Sequence, residues 1–233
     1  MFESSPELYD AIYRSFKNYE AESELVKGVI RRLAPEASTI LDLACGTGEH
    51  ASFLKQDFAI DGIDINPAFI GIARAKNPEC RFTVADMADF DLGRRYDVVM
   101  CLFSSIGYLK TLEKVRRALT AFKRHTKNDG LVIVEPWFTP DTWHAGRTSM
   151  VTVDLPQLKV CRMNITEQEG TVSKFMFHYL VGDSSGVRHF TEPHELGLFT
   201  TEEMLACFRE AGLAVSYDEK GISGRGLYTA HRA

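Results

Sequence analysis

The sequence lacks any apolar run close to the roughly 20 residues that a membrane-spanning helix requires, although 45% of its 233 residues are hydrophobic. Its first residues contain neither the basic region nor the apolar stretch of a secretory signal. Proline and glycine are not clustered, and no repeat or low-complexity segment interrupts the chain. We therefore expect one cytoplasmic domain, residues 1–233, with no membrane association and with a single good core.

The sequence is also poor in features of metal or nucleic-acid binding. Its five cysteines are odd in number, widely scattered and without a C-x-x-C pair, so we expect reduced thiols and assign no metal site. A formal net charge of −5 argues against a broad surface for nucleic acid, which needs clustered lysine and arginine.

Apolar strands alternate with helices over most of the chain, a pattern that predicts an α/β fold. The N-terminal segment 1–36 is predicted to be helical, with one helix over residues 7–34 that ends at Pro35. In the core, 37–136, apolar strands separated by helices predict a doubly wound, Rossmann-like parallel sheet covered on both faces. The predicted strands are 39–43, 58–64, 81–84, 96–101 and 130–135, and the predicted helices are 48–56, 67–76 and 111–127.

The pattern changes after Trp137, where alternating β-branched and aromatic residues indicate antiparallel hairpins. We predict an antiparallel β insertion over 137–199, on the side of the sheet that faces the substrate. The core resumes over 200–233 with a helix whose first turn is acidic and whose N-cap is Thr200, followed by two closing strands.

One strand of the core leads into a glycine-containing turn that opens a helix, which is typical of a nucleotide-cofactor loop. Gly46 and Gly48 let the backbone turn sharply and approach a ligand, and the helix that follows offers unpaired N–H groups. Asp64 ends the next strand, where its carboxylate can accept hydrogen bonds from both hydroxyls of a ribose.

The glycines alone do not choose between two cofactors, because the loop also satisfies the fingerprint of an NAD-dependent oxidoreductase. Two further features favour S-adenosylmethionine. Asp42 lies in the strand before the loop, where it either contributes to the site or only supports the loop. Asp86 and Met87 follow the third strand, and an acidic side chain beside an apolar surface suits an adenine ring.

Several segments together resemble one branch of the class I methyltransferases, the N,N-dimethyltransferases that act on dTDP-linked amino sugars of macrolide pathways. The likeness runs nearly from end to end. Besides the glycine loop, Asp64 and Asp86–Met87, the segments that carry it are Glu7–Asp10, Lys17–Tyr19, Phe103–Gly107, Glu135–Trp137, Leu198–Thr200 and Ser223–Leu227.

The resemblance implies S-adenosylmethionine as cofactor and a nucleotide-linked amino sugar as acceptor. The matching tyrosine of the family reaches the methionine carboxylate, which assigns Tyr19 to the cofactor. A role in substrate binding is assigned to Ser104, to Trp137, which either stacks on the acceptor or anchors the core, and to Arg225, whose flanking glycines are expected to leave it exposed to grip a diphosphate. The cofactor-binding residues are Tyr19, Ala44, Gly46, Gly48, Asp64, Ile65, Asp86, Met87 and Leu102.

The sequence departs from this family at the catalytic position. The family has a histidine after Ser-Ser-Ile-Gly, whereas Tyr108 stands there, and Phe2 lies nearest the place of an active-site tyrosine. A neutral tyrosine is a poor proton acceptor, so we expect Tyr108 to position the acceptor while water takes the proton. The alternative is that Tyr108 only packs on the insertion.

Three histidines of the insertion, His178, His189 and His194, are candidates to replace the missing base, but strand histidines are more often structural. The preferred function is N-methylation, carried out twice, of a dTDP-linked amino deoxysugar. Methylation of another amine or of a hydroxyl, an NAD-dependent oxidoreductase and a non-catalytic cofactor-binding protein are the alternatives. The edge of the insertion strands also makes a homodimer plausible.

Overall fold

A central mixed sheet of seven strands organises the protein, and the computed structural model describes it within residues 5–233. Its strands are β1 (Thr39–Leu43), β2 (Ala59–Asp64), β3 (Arg81–Val84), β4 (Tyr96–Cys101), β5 (Thr126–Val134), β10 (Leu213–Asp218) and β11 (Leu227–Arg232). Their order across the sheet is β10-β11-β5-β4-β1-β2-β3, with β1 to β5 parallel and β11 antiparallel to its neighbours. The predicted doubly wound α/β fold is confirmed.

In the described part of the chain, six α-helices accompany the strands: α1 (Tyr9–Arg14), α2 (Tyr19–Leu33), α3 (Glu49–Leu54), α4 (Pro67–Lys76), α5 (Leu112–His125) and α6 (Thr201–Glu210). Polar side chains fix where several of them begin. Asn66 accepts hydrogen bonds from two amides of the first turn of α4, and Thr200 with Glu203 forms a capping box on α6, as the sequence predicts. None of the helices in residues 5–233 is both long and apolar enough to cross a membrane.

Two secondary-structure predictions were wrong in detail, and one element was not predicted. The single helix over residues 7–34 is interrupted at 15–18, because Asn18 adopts an extended conformation and caps α2 through its side chain. The fifth strand begins at residue 126, directly after α5, instead of at 130. A 3₁₀ helix at Ser105–Leu109, which the sequence did not reveal, carries Tyr108.

A second sheet of four antiparallel strands follows β5 in the chain. Its strands are β6 (Thr148–Leu155), β7 (Leu158–Glu169), β8 (Val172–Asp183) and β9 (Gly186–Gly197), in that order across the sheet. These strands lie within the predicted insertion, whose boundaries at 137 and 199 stay a prediction. Side chains alternate between its two faces, and the inner face packs on α1 through Ile12, Phe177 and Val181.

Buried apolar residues cover both faces of the central sheet. One cluster includes Val99 and Phe122, and the other includes Ile40 and Met100. The loops after β1, β2, β3 and β4 all lie at the carboxyl edge of the parallel strands, which is where doubly wound sheets bind ligands. The inner face of the second sheet borders this edge, because its β9 packs on the 3₁₀ helix that follows β4.

Candidate active site

The loop between β1 and α3 has the backbone shape that its glycines suggest. Ala44, Gly46 and Gly48 all have positive φ, at 55°, 56° and 73°. A Cβ on Gly48 would lie 2.9 Å from Nδ2 of Asn77, whereas a Cβ on Gly46 would meet no atom within 4 Å. Gly48 therefore allows close packing against α4, and Gly46 leaves the loop open to a ligand.

Asp64, at the end of β2, is buried but keeps hydrogen-bonding capacity. Its Oδ2 accepts the amide of Gly46 at 2.9 Å and its Oδ1 accepts that of Asn66 at 2.8 Å. Burial raises the pKa of this carboxyl, and these backbone hydrogen bonds oppose the rise. Because Asn66 caps α4, Asp64 does not serve as the N-cap. Its carboxylate also accepts a hydrogen bond from the backbone of Ile65, and a carboxylate with three such bonds keeps acceptor capacity for a hydroxyl donor.

The largest cavity at this edge, which we call the strand-end cavity, has a volume of about 670 Å³. Side chains from the loops after β2 and β3 form one wall, and the 3₁₀ helix and β9 form the other. Its lining includes Ala44, Asp64, Ile65, Asp86, Met87, Tyr108 and His194. Apolar surface from Ile65 and Met87 therefore lies beside the carboxylates of Asp64 and Asp86, as the sequence predicts for a nucleoside site.

A smaller pocket, the loop pocket, lies on the other side of the glycine loop and is lined by Tyr19, Asp42, Ala44, Gly46, Leu102 and their neighbours. Asp42 is almost fully buried, and its Oδ2 has no hydrogen-bond partner within residues 5–233. Burial, with the negative charge of Asp64 nearby, raises the pKa of Asp42 to about 8. A buried carboxyl of this kind favours a cationic or donor group of a ligand.

The third cavity, the collar cavity, has a volume of about 300 Å³ and opens between the glycine loop and the inner face of the second sheet. It borders the strand-end cavity, since Ala44, Asp64 and Tyr108 line both. Half of the residues that line it are aromatic. The side chains that enclose it include Tyr13, Phe103, Trp137, Arg162, Phe175, Phe177 and Arg225.

Tyr108 lies where the strand-end cavity and the collar cavity meet, and it is hydrogen-bonded to a histidine of the second sheet. Its hydroxyl lies 2.9 Å from Nδ1 of His194, whose ring stacks on Phe175 with centroids 5.6 Å apart. Burial raises the pKa of Tyr108 well above its usual value. Burial, together with the positive charge of Arg162, lowers the pKa of His194 to about 3. The pair is therefore a protonated phenol beside a neutral imidazole at neutral pH.

The segment after β4 is held in an unusual backbone conformation by Glu135. Phe103 and Ser104 both have positive φ, at 52° and 62°, and the amide of Phe103 donates to Oε2 of Glu135 at 2.6 Å. The other oxygen of Glu135 lies 3.4 Å from Nη2 of Arg225. The expectation that flanking glycines leave Arg225 exposed was wrong, because this ion pair and the rings of Phe103 and Trp137 bury most of its side chain.

Most of the residues assigned from the sequence converge on these cavities, and two do not. Ser104 is buried and its hydroxyl donates to the carbonyl of Pro136 at 2.6 Å, so its neighbour Ser105 lines the collar cavity instead. Gly48 supports the loop without lining a cavity. Trp137 lines the collar cavity and also donates to Ser173 Oγ at 2.9 Å. Phe2 lies outside the described residues.

Of the three candidate histidines, the structure brings one to the site, and sequence reasoning missed one arginine. His178 and His189 are exposed on the outer face of the second sheet, whereas His194 is buried and faces the strand-end cavity. Arg162 lies on the inner face of β7 and was not singled out. Strand alternation was the available signal, since Arg162 and His194 each follow the buried, period-two register of their strands.

Comparison with known proteins identifies the family of this chain. Residues 40–130 match the family described as "Methyltransferase domain". The chain is 38% identical to the dTDP-3-amino-3,6-dideoxy-alpha-D-glucopyranose N,N-dimethyltransferase of Streptomyces fradiae over 96% of this chain and 89% of that protein.

Two solved structures are similar over almost the whole chain. The crystal structure of DesVI from Streptomyces venezuelae has a TM-score of 0.93 at 38% identity and covers 97% of this chain and 98% of that one. CalS10, a SAM-bound amino pentose methyltransferase from Micromonospora echinaspora, has a TM-score of 0.89 at 34% identity, with 97% of both chains covered.

The fold and the site together define a class I methyltransferase that uses S-adenosylmethionine. The chain belongs to the branch of that family that contains the sugar N,N-dimethyltransferases.

The geometry fits the cofactor. The unpartnered Oδ2 of Asp42 in the loop pocket suits the ammonium group of the methionine moiety. The carboxylate of Asp64 suits the ribose hydroxyls, and Ile65, Asp86 and Met87 suit the adenine.

Proposed function

We propose that this protein methylates the amino group of a nucleotide-linked amino deoxysugar, and that it does so twice. The observation that carries the proposal is that a nucleoside-sized cavity and an aromatic, arginine-bearing cavity meet at Tyr108. A separate chamber for each reactant, with one shared boundary, suits direct transfer between two bound molecules. The names of the relatives, which act on dTDP-linked amino sugars, support the class of acceptor.

S-adenosylmethionine supplies an activated methyl group on a sulfonium when bound. In this proposal the residues of the site hold it from both sides of the glycine loop. Tyr19, Asp42 and Leu102 face the methionine end, and Asp64 binds the ribose. Ala44 and Gly46 both have positive φ and turn the loop towards the ligand, and Gly46 lets the backbone approach it closely because it has no Cβ.

We assign Tyr108 to the positioning of the acceptor amine. We take the phenol as the donor to the neutral imidazole of His194, which leaves the lone pairs of the Tyr108 oxygen available to accept a hydrogen bond. An N–H of the acceptor can then donate to this oxygen, and the nitrogen lone pair points towards the cofactor. The carbon–nitrogen bond forms as the carbon–sulfur bond breaks, and the ammonium product loses its proton to water.

The same arrangement permits a second transfer. A secondary amine still has one N–H to donate to Tyr108, whereas a tertiary amine has none. The hydrogen bond that positions the acceptor is therefore lost after the second methyl group, which suits an enzyme that stops at the dimethylated product.

We also propose that the protein acts as a homodimer joined through the outer face of the second sheet. This face carries large exposed apolar side chains, and it points away from the cavities. Its members are Met150, Met163, Ile165, Met176 and Leu180, with 41–61% of each side chain exposed. An apolar patch of this kind, repeated in a second copy, is self-complementary across a two-fold axis.

The experiment is incubation of the purified protein with S-adenosylmethionine and a panel of dTDP-3-amino and dTDP-4-amino deoxysugars. Mass spectrometry should show the nucleotide sugar gaining one and then two methyl groups. The matched dTDP-sugars with a hydroxyl in place of the amine should gain none. Methylation of the hydroxyl sugars alone, or of no nucleotide sugar while the cofactor binds, would contradict the proposal.

A further inference from the structure

Arg162 is a buried cation that faces the collar cavity. It lies on the inner face of β7, and only 7% of the residue is exposed. Its guanidinium lies 4.2 Å from the ring centroid of Phe177 and 5.1 Å from that of Tyr13. These two aromatic rings hold the side chain in place and stabilise its charge, and neither ring accepts the N–H donors that lie in the plane of the guanidinium.

Part of that fork has no partner. Nη1 of Arg162 is buried, and it makes no hydrogen bond to any residue in the range 5–233. Leaving a buried charged donor unsatisfied is costly, so a site that keeps one is suited to a ligand that completes it. Nε of Arg225 is likewise buried without a partner in residues 5–233, but Arg225 has a carboxylate beside it, because Glu135 lies 3.4 Å from its Nη2.

The charged and titratable groups around Arg162 belong to four elements, because Tyr13 on α1 joins groups on the 3₁₀ helix, β8 and β9. Its positive charge opposes the rise in pKa of Tyr108 and Tyr179. Glu192, on β9, supplies negative charge to the same region, and one of its oxygens accepts the hydroxyl of Ser5 at 2.5 Å. Arg162 therefore influences the region around Tyr108, where the two cavities meet.

A closed series of contacts places Arg162 and Arg225 on opposite sides of the collar cavity. Arg225 lies over Phe103 and Trp137, and Arg162 lies over Tyr13 and Phe177. Tyr13 contacts Phe103 edge to face with centroids 5.3 Å apart. Phe175 completes the series, with its centroid 5.0 Å from that of Phe177 and 6.3 Å from that of Trp137.

We propose that Arg162 binds a phosphate oxygen of the nucleotide-linked acceptor, from the side of the collar cavity opposite Arg225. This inference rests on the proposed function and extends it. It assigns a contact with the diphosphate of the acceptor to Arg162, a residue that the sequence did not single out. A diphosphate has enough oxygen atoms to meet two guanidinium groups, and a planar fork can bind a phosphate through two parallel hydrogen bonds. The phosphate then supplies the partner that buried Nη1 lacks.

The test uses the full chain and dTDP as the probe, with affinity measured by isothermal titration calorimetry. Arg162→Met should weaken dTDP binding about 10- to 100-fold, since it removes a charge-assisted contact while keeping an apolar side chain between the two rings. The affinity of Arg162→Lys for dTDP should lie between those of Arg162→Met and the wild type, because lysine keeps the charge without the planar fork of donors. Arg188→Met is the matched control, because Arg188 is half-exposed on β9 and pairs with Asp183.

Salt dependence gives a second measurement that a purely structural role would not change. Loss of a phosphate contact should make the affinity of Arg162→Met for dTDP less sensitive to added salt than that of the wild type. Binding of S-adenosylmethionine should be unchanged in every variant, which shows that the fold is intact.

The inference is overturned if Arg162→Met binds dTDP within about twofold of the wild type, or if its affinity for S-adenosylmethionine falls equally. It is also overturned if only binding of the complete amino-sugar nucleotide weakens, because the contact is then to the sugar. None of these results affects the test of the proposed function, which is methyl transfer by the wild-type protein. Failure of the wild type to methylate any nucleotide sugar would instead reject the proposed function.

Discussion

We expect the affinity for the cofactor to depend most on the carboxylate of Asp64. Asp64→Asn keeps the size of the side chain but removes its charge and one acceptor oxygen, so we expect S-adenosylmethionine to bind about 10- to 100-fold more weakly. Asp61→Asn is the control, because Asp61 lies on the same strand but pairs with Arg94 outside the cavities. Equal losses in the two variants, measured by calorimetry, would contradict the assignment.

Tyr108 is expected to affect turnover without affecting the cofactor. Tyr108→Phe removes the oxygen that accepts the N–H of the amine, so kcat should fall about 10- to 100-fold while the Kd of S-adenosylmethionine stays constant. Tyr217→Phe removes a phenol from β10, away from the three cavities, and should leave both quantities unchanged. An unchanged kcat/KM in Tyr108→Phe would remove this tyrosine from the mechanism.

His194 should make the fold sensitive to acid. Its pKa is about 3 in the folded protein against about 6.5 when unfolded, so the unfolded chain binds the extra proton in the window between those values. The free energy of unfolding therefore falls as the pH drops from about 6.5 towards 3. The titratable and charged groups near His194 are Tyr108, Arg162 and Glu192. The positive charge of Arg162 lowers the pKa of His194 further.

We expect His194→Gln to lose less stability than the wild type when the pH is lowered from 7 to 4. Denaturant unfolding at several pH values measures this difference directly. His178→Gln, at an exposed position on the same sheet, should keep the acid sensitivity of the wild type. The account fails if both variants lose stability to the same extent.

Among the structural elements, the second sheet has two functions that follow from strand alternation. Its inner face supplies Arg162, Phe175 and His194 to the cavities, and its outer face carries the apolar side chains that we assign to dimer contact. Because successive residues of a strand point to opposite faces, one strand can contribute to both surfaces without compromise.

The dimer prediction is tested on the outer face of this sheet. Met163→Lys places a charge in the centre of the apolar face, and we expect it to shift the protein from dimer to monomer at micromolar concentration. Light scattering after size-exclusion chromatography gives the mass of each species. Leu25→Lys changes an equally exposed apolar residue on α2 and should leave the dimer intact. A wild-type protein that is already monomeric would contradict the prediction.

At the scale of the whole molecule, sequence periodicity was sufficient for most of the fold. The parallel strands were predictable because each is a short apolar run between helices, and the hairpins because polar and apolar residues alternate. The break in the N-terminal helix was not predictable from its apolar spacing, since it depends on the side chain of Asn18. The 3₁₀ helix that carries Tyr108 was also not predictable. It follows two residues with positive φ, Phe103 and Ser104, and this conformation is stabilised by a hydrogen bond from the amide of Phe103 to Glu135, which is distant in the sequence.

The candidate site likewise contains residues that could be predicted from the sequence and residues that only the fold reveals. Gly46, Asp64 and Met87 could be assigned because each ends or follows a strand, and topology brings such residues to one edge of the sheet. The contact between Tyr108 and His194 joins residues 86 positions apart, and no local pattern indicates it. Arg162 likewise becomes informative only when the fold places it in a cavity, across from Arg225.

The measurement that tests the central claim most directly is a crystal structure of the protein with S-adenosylhomocysteine and a dTDP-amino sugar. The account predicts the nucleoside of the cofactor product beside Asp64 and Met87, and the diphosphate between Arg162 and Arg225. The amine should lie within hydrogen-bonding distance of the hydroxyl of Tyr108. An acceptor bound outside the collar cavity, or an amine remote from Tyr108, would contradict the account.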